Sequence, residues 1–122
     1  MTKKQTHQLG ILAERIAILF LRLKGYKILK WSYRSHFGEI DIIAKNNGQI
    51  VFVEVKTRQT SFLAGPEETV TKSKQKLIIK AANQYILENE IDEESRFDII
   101  SIILNNNTKS IEHLEDAFYP TR

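Results

Sequence analysis

Apolar and polar positions change period several times along this chain, and each change marks an element. Residues 7–24 place Leu9, Leu12, Ile16, Leu19, Phe20 and Leu23 on one stripe at helical spacing, and Gly25 stands where a glycine ends a last turn. Residues 26–34 alternate as a strand, with Ile28, Lys30 and Ser32 on one face and Leu29, Trp31 and Tyr33 on the other. Strand aromatics pack into cores, so Trp31 is expected there. From Gly38 to Lys56, two runs rich in Ile and Val flank Asn47-Gly48, the pattern of a β-hairpin with a two-residue turn. Residues 70–88 predict a second helix, with Leu77, Ile78, Ala81, Ala82, Tyr85 and Ile86 on its buried side. Glu88 to Glu94 is an acidic, solvated connection. Residues 96–104 are apolar at nearly every position after Asp98, as for a strand buried on both faces. A helix between this strand and the hairpin implies a crossover, hence a parallel pairing. Asn105-Asn106-Asn107 makes a turn, and residues 110–115 add a short edge strand.

The hairpin carries the chemistry. A loop at Asn47-Gly48 pairs Asn46 with Gln49, which sets Asp41 directly opposite Glu54 and Glu39 opposite Lys56. Alternation then puts Glu39, Asp41, Ile43, Phe52, Glu54 and Lys56 on one face. The other face holds Ile40, Ile42, Ala44, Val51, Val53 and Val55 and is uniformly apolar. Two carboxylates facing each other across a ladder repel. Either this is a solvated face, with a Glu39–Lys56 pair offsetting the repulsion, or a divalent cation lies between Asp41 and Glu54. The second reading accounts better for the pairing, and Mg²⁺ or Mn²⁺ suits such hard oxygen ligands.

Other polar residues also resist a purely structural reading. Glu14 has only Gly10, Ile11, Ala17 and Ile18 one turn away, none able to pair with a carboxylate, and small Gly10 and Ala17 leave room for close approach. It is either a boundary residue reaching solvent or the edge of the metal site. Lys72, Lys74 and Lys76 crowd the start of the second helix, where the helix dipole disfavours cations. A phosphate bound at that end reverses the penalty. Arg34, with Trp31 and Tyr33, offers base or phosphate contacts, and Arg58 begins a polar loop of functional length that runs through Gly65-Pro66 to Glu68. His7, His36 and His113 lack ligand spacing.

Composition sets the outer limits. With 122 residues the chain is expected to be one domain, residues 1–122. It has no cysteine, which excludes disulfides, thiol catalysis and cysteine-based zinc sites and fits a reducing cytoplasm. No apolar run approaches a membrane span, so no membrane partner is expected. Net charge is +3, unevenly spread: residues 1–60 hold 11 basic and 4 acidic side chains, and residues 61–122 hold 7 and 11. A basic half is either an electrostatic footprint for nucleic acid or ordinary surface scatter.

These residues also carry a family resemblance. Asp41 followed by Glu54-Val55-Lys56 resembles the D…ExK signature of the restriction-endonuclease-like nuclease superfamily. More narrowly, the chain resembles the YraN-like family of small bacterial proteins, related to archaeal Holliday junction resolvases. The matching pieces are Gly10-x-x-Ala13-Glu14-x-x-Ala17, Gly25-Tyr26, Gly38-Glu39-Ile40-Asp41, Phe52 to Arg58, Val70-Thr71 with Lys74-Gln75, and Arg96-Phe97-Asp98. Lys72 departs from the pattern, since relatives commonly have proline after the Val-Thr pair. The resemblance implies an α/β fold of the restriction-endonuclease-like, three-layer α/β/α kind, with a central mixed sheet of four or five strands and flanking helices. It also implies a Mg²⁺- or Mn²⁺-dependent endonuclease acting on structured or branched DNA, and a homodimer.

In that reading Asp41, Glu54 and the Val55 carbonyl ligate the cation, Lys56 orients water or stabilises developing charge, and Glu14 and Glu39 support the site. Arg34, Arg58, Lys72, Lys74 and Lys76 grip the phosphate backbone. The alternative is a non-catalytic nucleic-acid-binding or partner-docking protein that keeps the nuclease fold.

Overall fold

The computed structural model describes residues 2–58, 70–104 and 109–120. In chain order the elements are α1 (Lys3–Leu23), β1 (Lys27–Ser35), β2 (Gly38–Asn46), β3 (Gln49–Arg58), α2 (Lys72–Glu88), β4 (Ser95–Leu104) and β5 (Lys109–Phe118). The loop expected after Arg58 and the turn at Asn105–Asn107 lie outside the described residues. The strands form one sheet in the order β1-β2-β3-β4-β5. Among the described strands only β3 and β4 run parallel, joined by the crossover through α2; the other neighbours are antiparallel. One helix covers each face, which gives the expected α/β/α layering around a five-stranded mixed sheet.

Local sequence explains where the elements begin and turn. Thr2 and Gln5 form a capping box that starts α1, with Thr2 Oγ1 accepting from the Gln5 N–H and the Thr2 N–H donating to Gln5 Oε1. Gly25, at φ 92°, lets the chain leave the helix toward β1. Asn47 and Gly48 take φ 50° and 78°, the two positive angles a type I′ hairpin turn requires. The resulting register pairs Asn46 with Gln49 and Ile42 with Val53, as expected. β4 is buried on both faces from Phe97 to Ile103. β5 is longer than the expected 110–115.

Four packing expectations are corrected, the first of them in part. The face of α1 that meets the sheet is centred on Ala13, Ala17 and Leu21; of the predicted stripe Ile16 and Phe20 pack against that core, while Leu12, Leu19 and Leu23 are 51%, 59% and 89% exposed. Two alanines one turn apart let the helix backbone come close to Ile42, Ala44, Val51 and Val53, a contact that larger side chains would hold open. Trp31 is 60% exposed rather than core, while Tyr33, two residues on, is buried against α2. The reason is a break in alternation, because Ser32 between them has φ 51°. The partner strand switches faces at the same level: Ile40 packs with Ile43 and Phe52 on the α2 side, and Ile42 with Ala44 on the α1 side. Ile40 therefore does not share the face predicted for it, and neither side of the hairpin is an open charged surface. On α2, Ile78, Ala81, Ala82 and Tyr85 are buried and Leu77 is exposed.

Candidate metal centre

The switch of face in β2 falls on Asp41, and it decides what the acids do. The β2–β3 ladder ends at Ile42 and Val53, one pair short of the expected Asp41–Glu54 pairing. Asp41 instead turns its carboxylate across the gap, and Oδ2 accepts a hydrogen bond from the Val55 N–H at 2.8 Å. A strand residue's N–H and C=O point to the same neighbour, so the Val55 carbonyl also faces β2. The strand twist brings one oxygen each of Glu14, Glu39 and Asp41 within 4.8 Å of one another. Ser32, at the break, donates weakly from its hydroxyl to Glu14 Oε1 at 3.4 Å. Nothing in the sequence marks that contact. Gly10 has open space around it, and Ala17 is fully buried against the sheet.

Glu54 approaches Asp41 from the α2 side of β3, beyond Ile50 and Phe52. Its side chain is 6% exposed and lies within hydrogen-bonding reach of Asp41. Two carboxylates this close hold together only if a proton or a cation is shared. Burial pushes the Glu54 carboxyl well above the usual carboxylate range, the neighbouring Asp41 adds to the rise, and Lys74 and Lys56 offset part of it. Glu14 is raised as well, by burial first and then by the charges of Asp41 and Glu39. Lys74 Nζ, at 3.7 Å from Glu54 Oε2, is beyond hydrogen-bonding distance, and that buried oxygen has no hydrogen-bond partner among the described residues. An orphaned buried carboxylate oxygen beside Asp41, which itself clusters with Glu14 and Glu39, is a donor set that fits a hard divalent cation.

The other predicted contacts spread around this centre. Lys56 lies on the Glu54 face of β3 and makes no ion pair among the described residues; the expected Glu39–Lys56 pair does not form. Glu39 has Arg34 at 3.9 Å instead, with the guanidinium almost wholly exposed. Arg58 closes β3. Lys72, Lys74 and Lys76 are exposed on the first turns of α2. Thr71 already caps that helix by accepting from the Lys74 N–H at 3.2 Å, so one of the backbone donors expected to meet phosphate is taken.

Comparison with known proteins adds the family. Residues 13–102 match the model of "Uncharacterised protein family UPF0102". The UPF0102 protein of Christiangramia forsetii is 43% identical over 113 residues, covering 93% of this chain and 95% of its own. That of Alkaliphilus oremlandii is 44% identical over 114 residues (91% and 97%), and that of Persephonella marina 47% over 103 (84% and 85%). The chain belongs to the UPF0102 family. The matched span holds Glu14, Glu39, Asp41, Glu54, Lys56 and Lys74. Among the described residues no helix is long and apolar enough to cross a membrane.

A second buried carboxylate in this UPF0102 chain was only half legible. Asp98 is fully buried and takes a bidentate pair from Arg96 (Nε to Oδ1 and Nη2 to Oδ2, both 2.9 Å). His113 Nε2 lies 2.7 Å from Oδ2, and the Asp116 N–H donates to Oδ1 at 2.9 Å. A carboxylate only accepts and an ammonium only donates, so His113 donates through Nε2 and accepts from Lys24 Nζ at Nδ1, 2.7 Å away. Arg96 also reaches the Tyr26 hydroxyl at 2.7 Å. Spacing gave no hint of His113 because its partners, Asp98 on β4 and Lys24 at the end of α1, come from distant segments.

Proposed function

We propose that this UPF0102 chain is a divalent-cation-dependent endonuclease that hydrolyses phosphodiester bonds in structured or branched DNA. The observation that carries the reading is a buried Glu54 oxygen with no hydrogen-bond partner among the described residues, beside an Asp41 that clusters with Glu14 and Glu39. Asp41 and Glu54 would hold Mg²⁺ or Mn²⁺, with the Val55 carbonyl turned to the same side. When bound, such an ion polarises a phosphoryl oxygen and acidifies water.

The chain's own groups account for the rest. Lys56, two residues beyond Glu54 on one strand face, orients the attacking water and offsets charge building on the phosphoryl group. Glu14, whose pKa is raised, is a better proton acceptor than a solvated glutamate. Lys72, Lys74 and Lys76, with Arg34 and Arg58, supply sequence-independent, salt-sensitive backbone contacts. A chain without cysteine is suited to the cytoplasm, and a homodimer would present two such centres.

The test is cleavage of linear, flapped and four-way-junction DNA with Mg²⁺, Mn²⁺ or EDTA. Cutting is expected with either metal and not in EDTA. Glu54→Gln and Lys56→Ala proteins are expected to bind without cutting. Binding without cleavage of any substrate by the unaltered protein would instead support the non-catalytic reading.

A further inference from the structure

Among the described residues nothing packs on the face of α1 next to the carboxylates, and its chemistry is specific. Ile11, Arg15, Ile18 and Arg22 follow one another at i, i+4, i+7 and i+11, so they form a single stripe. That stripe lies roughly a third of a turn around the helix from the buried Ala13, Ala17 and Leu21. Opposite it, across a groove of about 530 Å³, stands the exposed indole of Trp31 on β1. Among the described residues neither the Arg15 nor the Arg22 guanidinium has a hydrogen-bond or ion-pair partner. Glu14 lines both this groove and the carboxylate cluster, so the two are continuous.

We infer that the groove between α1 and β1 is a subsite for an unpaired nucleotide, with its base stacked on Trp31 and the adjoining phosphates on Arg15 and Arg22. An exposed aromatic face over an apolar floor offers stacking, and base faces are free to stack on protein only where a strand is single or frayed. The two guanidinium groups match the charge of the backbone on either side. The volume falls within the range of small-ligand pockets, about 300–1,000 Å³. A second copy of the chain is the weaker occupant: it would bury Arg15 and Arg22 of both copies against a groove whose lining holds one acid, Glu14. The assignment rests on the nuclease reading for its meaning. It hands the carboxylate centre a substrate with a single-stranded segment, and so narrows structured DNA to flapped, gapped or frayed forms.

Trp31 is the only tryptophan, so its fluorescence reports on the groove directly. The unaltered protein is titrated in EDTA with single-stranded oligothymidylate and, separately, with blunt duplex. Saturable quenching by the single strand and little by the duplex is expected. By anisotropy of a labelled single strand, Trp31→Ala is expected to weaken binding at least about tenfold, while Trp31→Phe keeps most of it. The double variant Arg15→Gln/Arg22→Gln is expected to flatten the slope of log affinity against log salt by about 1.4. Unquenched Trp31 fluorescence, or unchanged affinity in a folded Trp31→Ala protein, overturns the subsite even if Mn²⁺-dependent cleavage is found. Trp31 emission that follows protein concentration, with a sedimenting dimer and no response to oligonucleotide, assigns the groove to a second copy and overturns it too. Failure of the nuclease reading looks different, because cleavage is then absent whatever Trp31 reports.

Discussion

Glu54 and Asp98 are buried acids on neighbouring parallel strands, offset by one position in register, since Val53 pairs with Asp98 and Glu54 with Ile99. Their fates are opposite. Burial pushes the Asp98 carboxyl up, but hydrogen bonds from His113, Arg96 and the Asp116 N–H outweigh it and hold it below the usual range. Glu54 meets another carboxylate, a distant ammonium and no hydrogen-bond donor to Oε2 among the described residues, and it is pushed up. The same sheet thus contains one acid that is complete and one that is left wanting a positive charge. The contrast shows that the unsatisfied acid is no general tolerance of this fold, and it is the physical argument for a cation at the second site.

The largest expected effect is on chemistry. Replacing Glu54 by Gln should remove metal-dependent cleavage to background, measured on the best substrate of the panel, while leaving folding stability equal or higher. The same amide change at Asp98 should do the reverse. Asp98→Asn breaks a buried charged pair and leaves Arg96 uncompensated, at a cost of about 3–5 kcal/mol in denaturant unfolding. Equal destabilisation by the two changes would erase the distinction between the two acids.

The next effect is on the pH profile. A carboxyl raised in the folded protein stabilises it while protonated, so the contribution of Glu54 is full below its ordinary 4.5 and fades as pH rises toward about 9. Asp98 behaves oppositely, its contribution present above its ordinary 3.8 and lost in acid below that. Thermal midpoints without metal should therefore decline from pH 5 to pH 9. Mn²⁺ should raise the midpoint more at pH 8 than at pH 5, and Glu54→Gln should abolish that difference. A metal response independent of pH would separate the bound ion from Glu54.

The smallest expected effect belongs to Lys74. Its half-exposed ammonium, 3.7 Å from Glu54, should contribute no more than about 1 kcal/mol to stability. Lys74→Ala should instead lower the salt slope of duplex binding by about 0.9, as for one lost phosphate contact. An unchanged slope would confine Lys74 to its pairing with Glu54.

Much of this was determined by the sequence alone. Turn chemistry at Asn47-Gly48 set the hairpin register, unbroken apolar character marked β4 as a strand covered on both sides, and the clash of Asp41 with Glu54 singled out the acids. These are local properties, fixed by residues a few positions apart. The tertiary structure decided which way each element faces. Periodicity finds a stripe on α1 but not the sheet it must approach, and the sheet accepted Ala13 and Ala17 because only small side chains allow that closeness. A single backbone angle at Ser32 moved Trp31 to the surface, and beside it Ile40 crossed to the α2 side. Glu14, His113 and Lys74 gained their partners from distant segments, and spacing along a chain carries no record of contacts made only when the layers close.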